Sequence, residues 1–585
     1  MTPNIAITGS GILSAIGLEK QEVLRSLQEK RTGIGTMQYL DSCHHELPVG
    51  EVKLSDSQMK EMLGVEGEVS RTALMGMLAI RQAIREAGIE NLHGKRVVLI
   101  SGTTVGGMDL TERYFQELLQ GGDTHLDCLK YHDCGGSTQF MADYFGIFSD
   151  CATISTACSS AANALILGAN LLKNGQVDMV VAGGTEALSK FHLNGFNSLM
   201  ILDHELCHPF DETRAGLNLG EGAAFVVLER EEDALNRKAD VQAYLTGYGN
   251  ACDAFHQTAT SENGEGAYLA MSQALTMAGL APEQIQYVNA HGTGTPNNDS
   301  SESAALLRIY GEQLPPVSST KAFTGHTTSA SGSIETVICL LALSHQFIPA
   351  NLGWQHAMEQ GIRPTLGENH AELHHIMCNS FGFGGNDSSL ILSDQAVHGS
   401  DIVQSTLPIR TLARVEITSE DQLAEIKEYV KPLEARRMGK IMKSALLASL
   451  KALKQAGVAC PDAIITGTAF GCLENSENLL NEIQEQGEQM IKPTWFMQST
   501  HNTISSLIAI RLKAHGYNVT YTQQDKSFEW ALRDAEMLLR SGKAKTVLVG
   551  CHDETTPGFR SLMQRVGKTY DYSVHSIALV LTCGD

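Results

Sequence analysis

Short runs of consecutive apolar residues alternate along the chain with longer stretches whose apolar positions recur every three to four residues. Ile5 to Thr8 precedes the helix-like Gln21 to Gln28, and the helix-like Arg71 to Ala87 precedes Val97 to Ser101. Further short runs are Met179 to Ala182, Ala223 to Leu228, Ile285 to Val288 and Ser389 to Leu392. Brief apolar runs are buried strands and the longer period is that of covering helices, so the pattern predicts an α/β fold. Gly88, just past Ala87, is placed as a left-handed C-cap. Val397 to Ser405 reads as a breaker, after which the alternation restarts with a helix over 439–456 and ends in a strand at Ile577 to Leu581.

Part of that rhythm is a repeat. Residues 151–186, shifted by 367, lie on 518–553 without a gap, and nine of the 36 positions are identical. Gly102-Thr103-Thr104-Val105-Gly106 is echoed by Gly467-Thr468-Ala469-Phe470-Gly471, and Ala87-Gly88-Ile89 by Ala456-Gly457-Val458. Landmarks in one order argue for a duplicated half.

The 585 residues suffice for two to four domains, and 43% hydrophobic with 19% charged residues is ordinary for a globular protein. A net charge of −23 argues against nucleic-acid or anionic-membrane binding. The 13 cysteines are scattered with no metal-ligand spacing, which fits a reducing cytoplasm. The N-terminus lacks a signal-peptide pattern, and no uncharged apolar run approaches the roughly 18 residues of a membrane span.

The candidate chemistry starts at Ser155-Thr156-Ala157-Cys158-Ser159-Ser160, which joins a strand-like run (Ala152 to Thr156) to a helix-like one (Ala161 to Leu172). A sulfur at a helix N-terminus meets unpaired N–H groups, and a thiol there falls to roughly 3.5–7.5. Cys158 is therefore expected to be a thiolate nucleophile. In the repeat its place is taken by Asp525. His291 enters the glycine loop Gly292-Thr293-Gly294-Thr295; Lys321 precedes Gly325-His326; Glu335 follows. Phe381-Gly382-Phe383-Gly384-Gly385 forms a further glycine turn. Gly9-Ser10-Gly11 hints at a dinucleotide loop, but Ser14 stands where the third glycine belongs. One thiol, two imidazoles, a lysine and a glutamate are the parts of a carbon–carbon condensing site: the sulfur holds an acyl group, and imidazoles stabilise an enolate.

These motifs, in this order over roughly residues 1–395, resemble the β-ketoacyl-[acyl-carrier-protein] synthases of the elongating type. Pro209-Phe210-Asp211, Arg214 and Gly220-Glu221-Gly222 fit as well. The resemblance implies a thiolase-like five-layered α/β/α/β/α fold, a homodimer or a heterodimer with a related synthase, and an acyl carrier protein as partner. No cofactor and no metal are implied, since substrates ride on the carrier's phosphopantetheine arm. It further implies that Cys158 accepts the acyl group and that His291 and His326 promote decarboxylation of a malonyl thioester. Lys321 would orient the site and pair with Glu335. The amides of Cys158 and Phe383 would form the oxyanion hole, with Phe383 and Phe381 at a gate. Val105 would line the acyl tunnel, and Thr293, Thr295, Gly382 and Gly384 would face substrate. Asn289, His208 and Ala215 to Asn218 depart from the family pattern, and residues 47–54 and 216–221 look like the synthases of aryl-polyene or flexirubin-type pigments.

The expected organisation is a synthase N-terminal half over 1–250, its C-terminal half over 251–397, and a catalytically dead half domain over 406–585. The alternative activity is that of a non-catalytic chain-length factor, whose resemblance Cys158 opposes. A thiolase would need a second cysteine near the Phe381–Gly385 turn, where none stands (Cys378 precedes it).

Overall fold

A computed structural model describes residues 3–89, 94–397 and 405–584. Most of the expected breaker at 397–405 lies outside them. Fifteen strands form three groups of five. The first unit holds β1 (Ile5–Leu13), β2 (Val97–Gly102), β3 (Asp150–Ile154), β4 (Met179–Glu186) and β5 (Gly222–Arg230). The second holds β6 (Ala243–Cys252), β7 (Tyr287–Asn289), β8 (Val317–Ser318), β9 (His375–Gly382) and β10 (Asn386–Ser393). The third holds β11 (Ile409–Ile417), β12 (Ala463–Gly467), β13 (Tyr517–Tyr521), β14 (Thr546–Glu554) and β15 (Val574–Cys583). β6 opens the second unit ahead of the division expected after residue 250.

The strand orders are β3-β2-β4-β5-β1, β8-β7-β9-β10-β6 and β13-β12-β14-β15-β11, one topology three times. In each order the first three strands run parallel, and the fourth (β5, β10 or β15) pairs antiparallel with its neighbours on both sides. The buried helices Ser160–Lys173 and Ser331–His345 pack on one another and on strands of the first two units. Helix Arg71–Glu86 covers the far face of the first sheet, and Glu265–Ala278 that of the second. These are the five layers that the resemblance implied.

The shift of 367 is kept in space: Ser160–Lys173 matches the third-unit helix Ser527–Arg540, and β3 matches β13. Ala157 (φ 52°) matches Gln524 (φ 48°), so the turn that carries Cys158 survives in the repeat with Asp525 in place of the thiol. The helices differ where their surroundings differ. From Ser160 to Leu172 every residue is buried, whereas Glu529 and Glu536 face solvent, because among the described residues no second half covers the third unit.

Strand β13 seals the edge of β3. Tyr521 pairs with Ile154, the amides of Ser155 and Thr522 donate to Thr520 and Thr153 (3.0 and 2.9 Å), and buried Trp530 Nε1 donates to the Cys151 carbonyl at 3.0 Å. An edge strand left bare would recruit another chain; here the chain closes it from within. β1 runs straight through Gly9-Ser10-Gly11, so that segment is no nucleotide loop. Its glycines admit the overlying helix: a Cβ would stand 2.3 Å from Ala83 O at Gly9 and 2.0 Å from Ala79 O at Gly11.

Candidate active site

β3 ends at Ile154, two residues before the expected limit, because Ser155 to Ser159 form a sharp elbow. Ala157 takes the left-handed conformation, an uncommon position for a residue with a side chain. Side chains hold it: Thr156 N donates to Ser160 Oγ (2.9 Å), Ser159 Oγ to the Thr156 carbonyl (2.9 Å), and Asn163 Nδ2 to Thr156 Oγ1 (2.9 Å). Cys158 is thereby set just before helix Ser160–Lys173, 5% exposed. Its own amide and that of Phe383 both hydrogen-bond toward the sulfur.

The turn after helix Lys321–Thr324 brings in His326, whose Nε2 lies 3.0 Å from Cys158 Sγ. Its Nδ1 lies 3.0 Å from Ser331 Oγ, a hydroxyl able to donate or accept, so both neutral tautomers are served. The His326 amide donates at 2.7 Å to the carbonyl of Asn218. A segment that departs from the family pattern thus supports this histidine's backbone. The His291 ring meets the His326 ring edge-on, with centroids 5.3 Å apart, and its Nδ1 is buried without a partner among the described residues. Glu302 holds the His291 loop by accepting from the amides of His291 (2.9 Å) and Gly292 (2.8 Å). Lys321 Nζ and Glu335 Oε1 meet at 2.5 Å, both buried.

Burial sets the protonation states. It pushes the Cys158 thiol up to about 11, although Lys321 and the two amides pull the other way. Burial thus opposes the low-pKa thiolate expected from the helix start, and His326 Nε2, 3.0 Å from the sulfur, is placed to accept the thiol's proton. Burial, aided by Lys321, holds both imidazoles well below their usual range, so His291 and His326 are neutral. The ligand atoms of Cys158, His291 and His326 lie within 4.8 Å of one another. A soft cation such as Zn²⁺ could chelate there and would block the sulfur.

The Lys321–Glu335 pair carries a stability prediction. Lys321→Met leaves a buried carboxylate uncompensated, and about 3–5 kcal/mol of folding stability is lost. Urea denaturation checks this; a loss below about 1 kcal/mol would mean that water reaches Glu335.

Two cavities meet at Cys158, Phe196 and Phe383. One passes Thr293, Thr295, His291, His326 and the Phe381–Gly385 turn toward solvent. The other passes Val105 and runs between the first and third units, reaching Phe470, Leu473, His501 and Phe559. Asp525 also lines it. Phe383 stacks on Phe196 at 5.7 Å where the cavities join. The third-unit wall, and the supports Ser331 and Glu302, were not singled out in the sequence. Nothing in their local pattern marks them.

The family model described as "Beta-ketoacyl synthase, N-terminal domain" matches residues 2–234, and its C-terminal counterpart matches 242–355. A second N-terminal-domain model matches 412–585. The chain is 32% identical over 409 residues to 3-oxoacyl-[acyl-carrier-protein] synthase 2 of Vibrio cholerae serotype O1, covering 66% of this chain and 98% of that one. It is 34% identical over 404 residues to 3-oxoacyl-[acyl-carrier-protein] synthase 1 of Escherichia coli strain K12, with the same coverage. Among solved structures, the PfaC keto synthase–chain length factor matches 99% of this chain and 78% of its own length at TM-score 0.80 and 16% identity, a likeness of fold. With its cysteine and two histidines gathered at the junction of two cavities, the chain belongs to the β-ketoacyl synthase family.

Proposed function

We propose that this chain is a 3-oxoacyl-[acyl-carrier-protein] synthase whose third unit completes its acyl cavity. The observation that carries the reading is the contact of Cys158 Sγ with His326 Nε2 at 3.0 Å, under two amide donors and beside a second neutral imidazole. The sulfur attacks the acyl thioester carbonyl as His326 takes its proton. The C–S bond to Cys158 forms, the carrier's sulfur leaves, and His326 returns the proton to it. A malonyl thioester then enters by the solvent-side cavity. Its C–CO₂ bond breaks, CO₂ departs, and His291 and His326 donate hydrogen bonds to the enolate oxygen. The enolate carbon attacks the acyl carbonyl, whose developing charge meets the amides of Cys158 and Phe383. A C–C bond forms, and Cys158 leaves as a thiolate that is reprotonated.

Lys321, held by Glu335, helps keep both imidazoles neutral. Phe383, with Phe381 beside it, gates the passage between the cavities, while Val105 lines the acyl side and Thr293, Thr295, Gly382 and Gly384 face the malonyl arm. The third unit stands at the β3 edge in place of a partner synthase, so the chain needs no second synthase there. Thirteen free thiols fit the reducing cytoplasm. The pigment-like segments 47–54 and 216–221 suggest polyene acyl chains. The likeness of fold to a keto synthase–chain length factor keeps the chain-length-factor alternative in play, and the thiol and both imidazoles, all in place, weigh against it.

Mixing the protein with acyl-carrier protein and malonyl-carrier protein should yield a 3-oxoacyl chain two carbons longer; recovery of the input chains alone would contradict the reading. Leu473→Trp fills the third-unit side of the cavity and should shorten the longest acyl group accepted by two or more carbons, leaving short primers unaffected. An unchanged product length by mass spectrometry would separate that wall from the acyl path.

A further inference from the structure

Both amide donors at the Cys158 sulfur are tied to the third unit through one line of buried asparagines. Phe383 supplies one donor through its N–H. The next peptide is held at both ends: the Phe383 carbonyl accepts from Asn502 Nδ2 at 2.8 Å, and the Gly384 N–H donates to the Gln257 carbonyl at 2.7 Å. Gly384 sits at φ 83°, and a Cβ there would come within 2.2 Å of Ser506 Oγ and 3.0 Å of Asn502 Nδ2. The third-unit helix end at Asn502 is therefore pressed directly against the turn that presents Phe383.

From Asn502 the line runs back to the nucleophile. Asn502 Nδ2 also donates to Asn386 Oδ1 (2.7 Å), and Asn386 Nδ2 donates to the carbonyl of Asn518 (3.0 Å). The backbone N–H of Asn518 donates to Asn250 Oδ1 (2.9 Å), Asn250 Nδ2 to Asn163 Oδ1 (2.8 Å), and Asn163 Nδ2 to Thr156 Oγ1 (2.9 Å), two residues before Cys158. All five asparagines are at most 4% exposed. Asn502 Oδ1 is buried without a partner among the described residues, so the hold on the turn comes from its Nδ2; a buried amide that loses its partner costs stability, which fixes that geometry.

We propose that Asn502, supplied by the third unit, is a positioning residue that, together with the backbone of Asn518, sets the amides of Phe383 and Cys158 against the reacting carbonyl. The third unit is then part of the catalytic apparatus as well as a cavity wall. The inference rests on the condensing reading above. Oxyanion donors act only when aimed at the developing charge, and a displacement of about 1 Å costs up to about 100-fold in rate.

The test is single-turnover acyl transfer from hexanoyl-carrier protein to the full chain. In Asn502→Ala the rate constant at saturating donor should fall about 10- to 100-fold, with the half-saturating concentration within about twofold of wild type. Asn502→Asp keeps the volume but turns a carboxylate oxygen toward the Phe383 carbonyl, and should fall at least as far. Asn475→Ala is the control for a structural loss: its Nδ2 also donates to a backbone carbonyl in the third unit, that of Gln498 at 2.9 Å, away from this line. It should transfer within about twofold of wild type. Wild-type rates in both Asn502 variants, or an equal loss in Asn475→Ala, would overturn the proposal. A wild-type chain that accepts no acyl group would instead overturn the functional reading on which it rests.

Discussion

Cys158→Ala should take up no acyl group and lose condensation by at least about 10⁴-fold, while still releasing CO₂ from malonyl-carrier protein. The split follows from where the atoms sit. The covalent step needs the sulfur; among the described residues no other thiol lines the junction of the two cavities, and Cys134 lines only the acyl-side one. Decarboxylation needs donors for an enolate oxygen, and His291 and His326 remain. Removing Sγ also frees the His326 Nε2 that it faces at 3.0 Å. Trapped ¹⁴CO₂ and the mass of the protein measure the two activities separately. Parallel loss of both would mean that the cysteine also shapes the malonyl site.

His326→Ala should lower condensation about 10²- to 10³-fold, the usual cost of removing one donor from a developing oxyanion. It should also change how acylation responds to pH. The thiol, pushed up to about 11 by burial, gives up its proton at neutral pH only to an acceptor at hand. With His326 present that acceptor is neutral throughout, because its pKa lies well below 6.5, so wild-type acylation should be flat from pH 6.5 to 9. Without it, the thiolate must form by ordinary ionisation. The fraction ionised at pH 7 is then about 10⁻⁴ and rises tenfold per pH unit toward 11. Acylation of His326→Ala should climb with that slope. A flat profile in the variant would show that the helix terminus and the amides alone lower the thiol pKa.

The parts of the site were legible because each announces itself locally. A cysteine between strand-like and helix-like runs and two histidines in glycine turns carry the chemistry in a few adjacent residues. The repeat was legible for the same reason: a shift of 367 superposes Ser160–Lys173 on Ser527–Arg540 residue for residue. What the sequence did not carry is what distant segments do to one another. The thiol was expected to be acidic from its helix start, but burial among three units outweighs the helix end, and burial is a sum over neighbours. The β3–β13 pairing uses backbone groups that every residue owns. Asn502 lies 119 residues from the carbonyl it holds, in a segment with no local sign of its role.

The most direct test of the account is the intact mass of the wild-type protein after incubation with a panel of acyl-carrier proteins, followed by malonyl-carrier protein. The expected result is one acyl adduct, mapped by peptide digestion to Cys158, that disappears on the chase as a 3-oxoacyl chain two carbons longer appears on the carrier. An adduct that survives the chase while CO₂ is released, or an adduct on another cysteine, would contradict it.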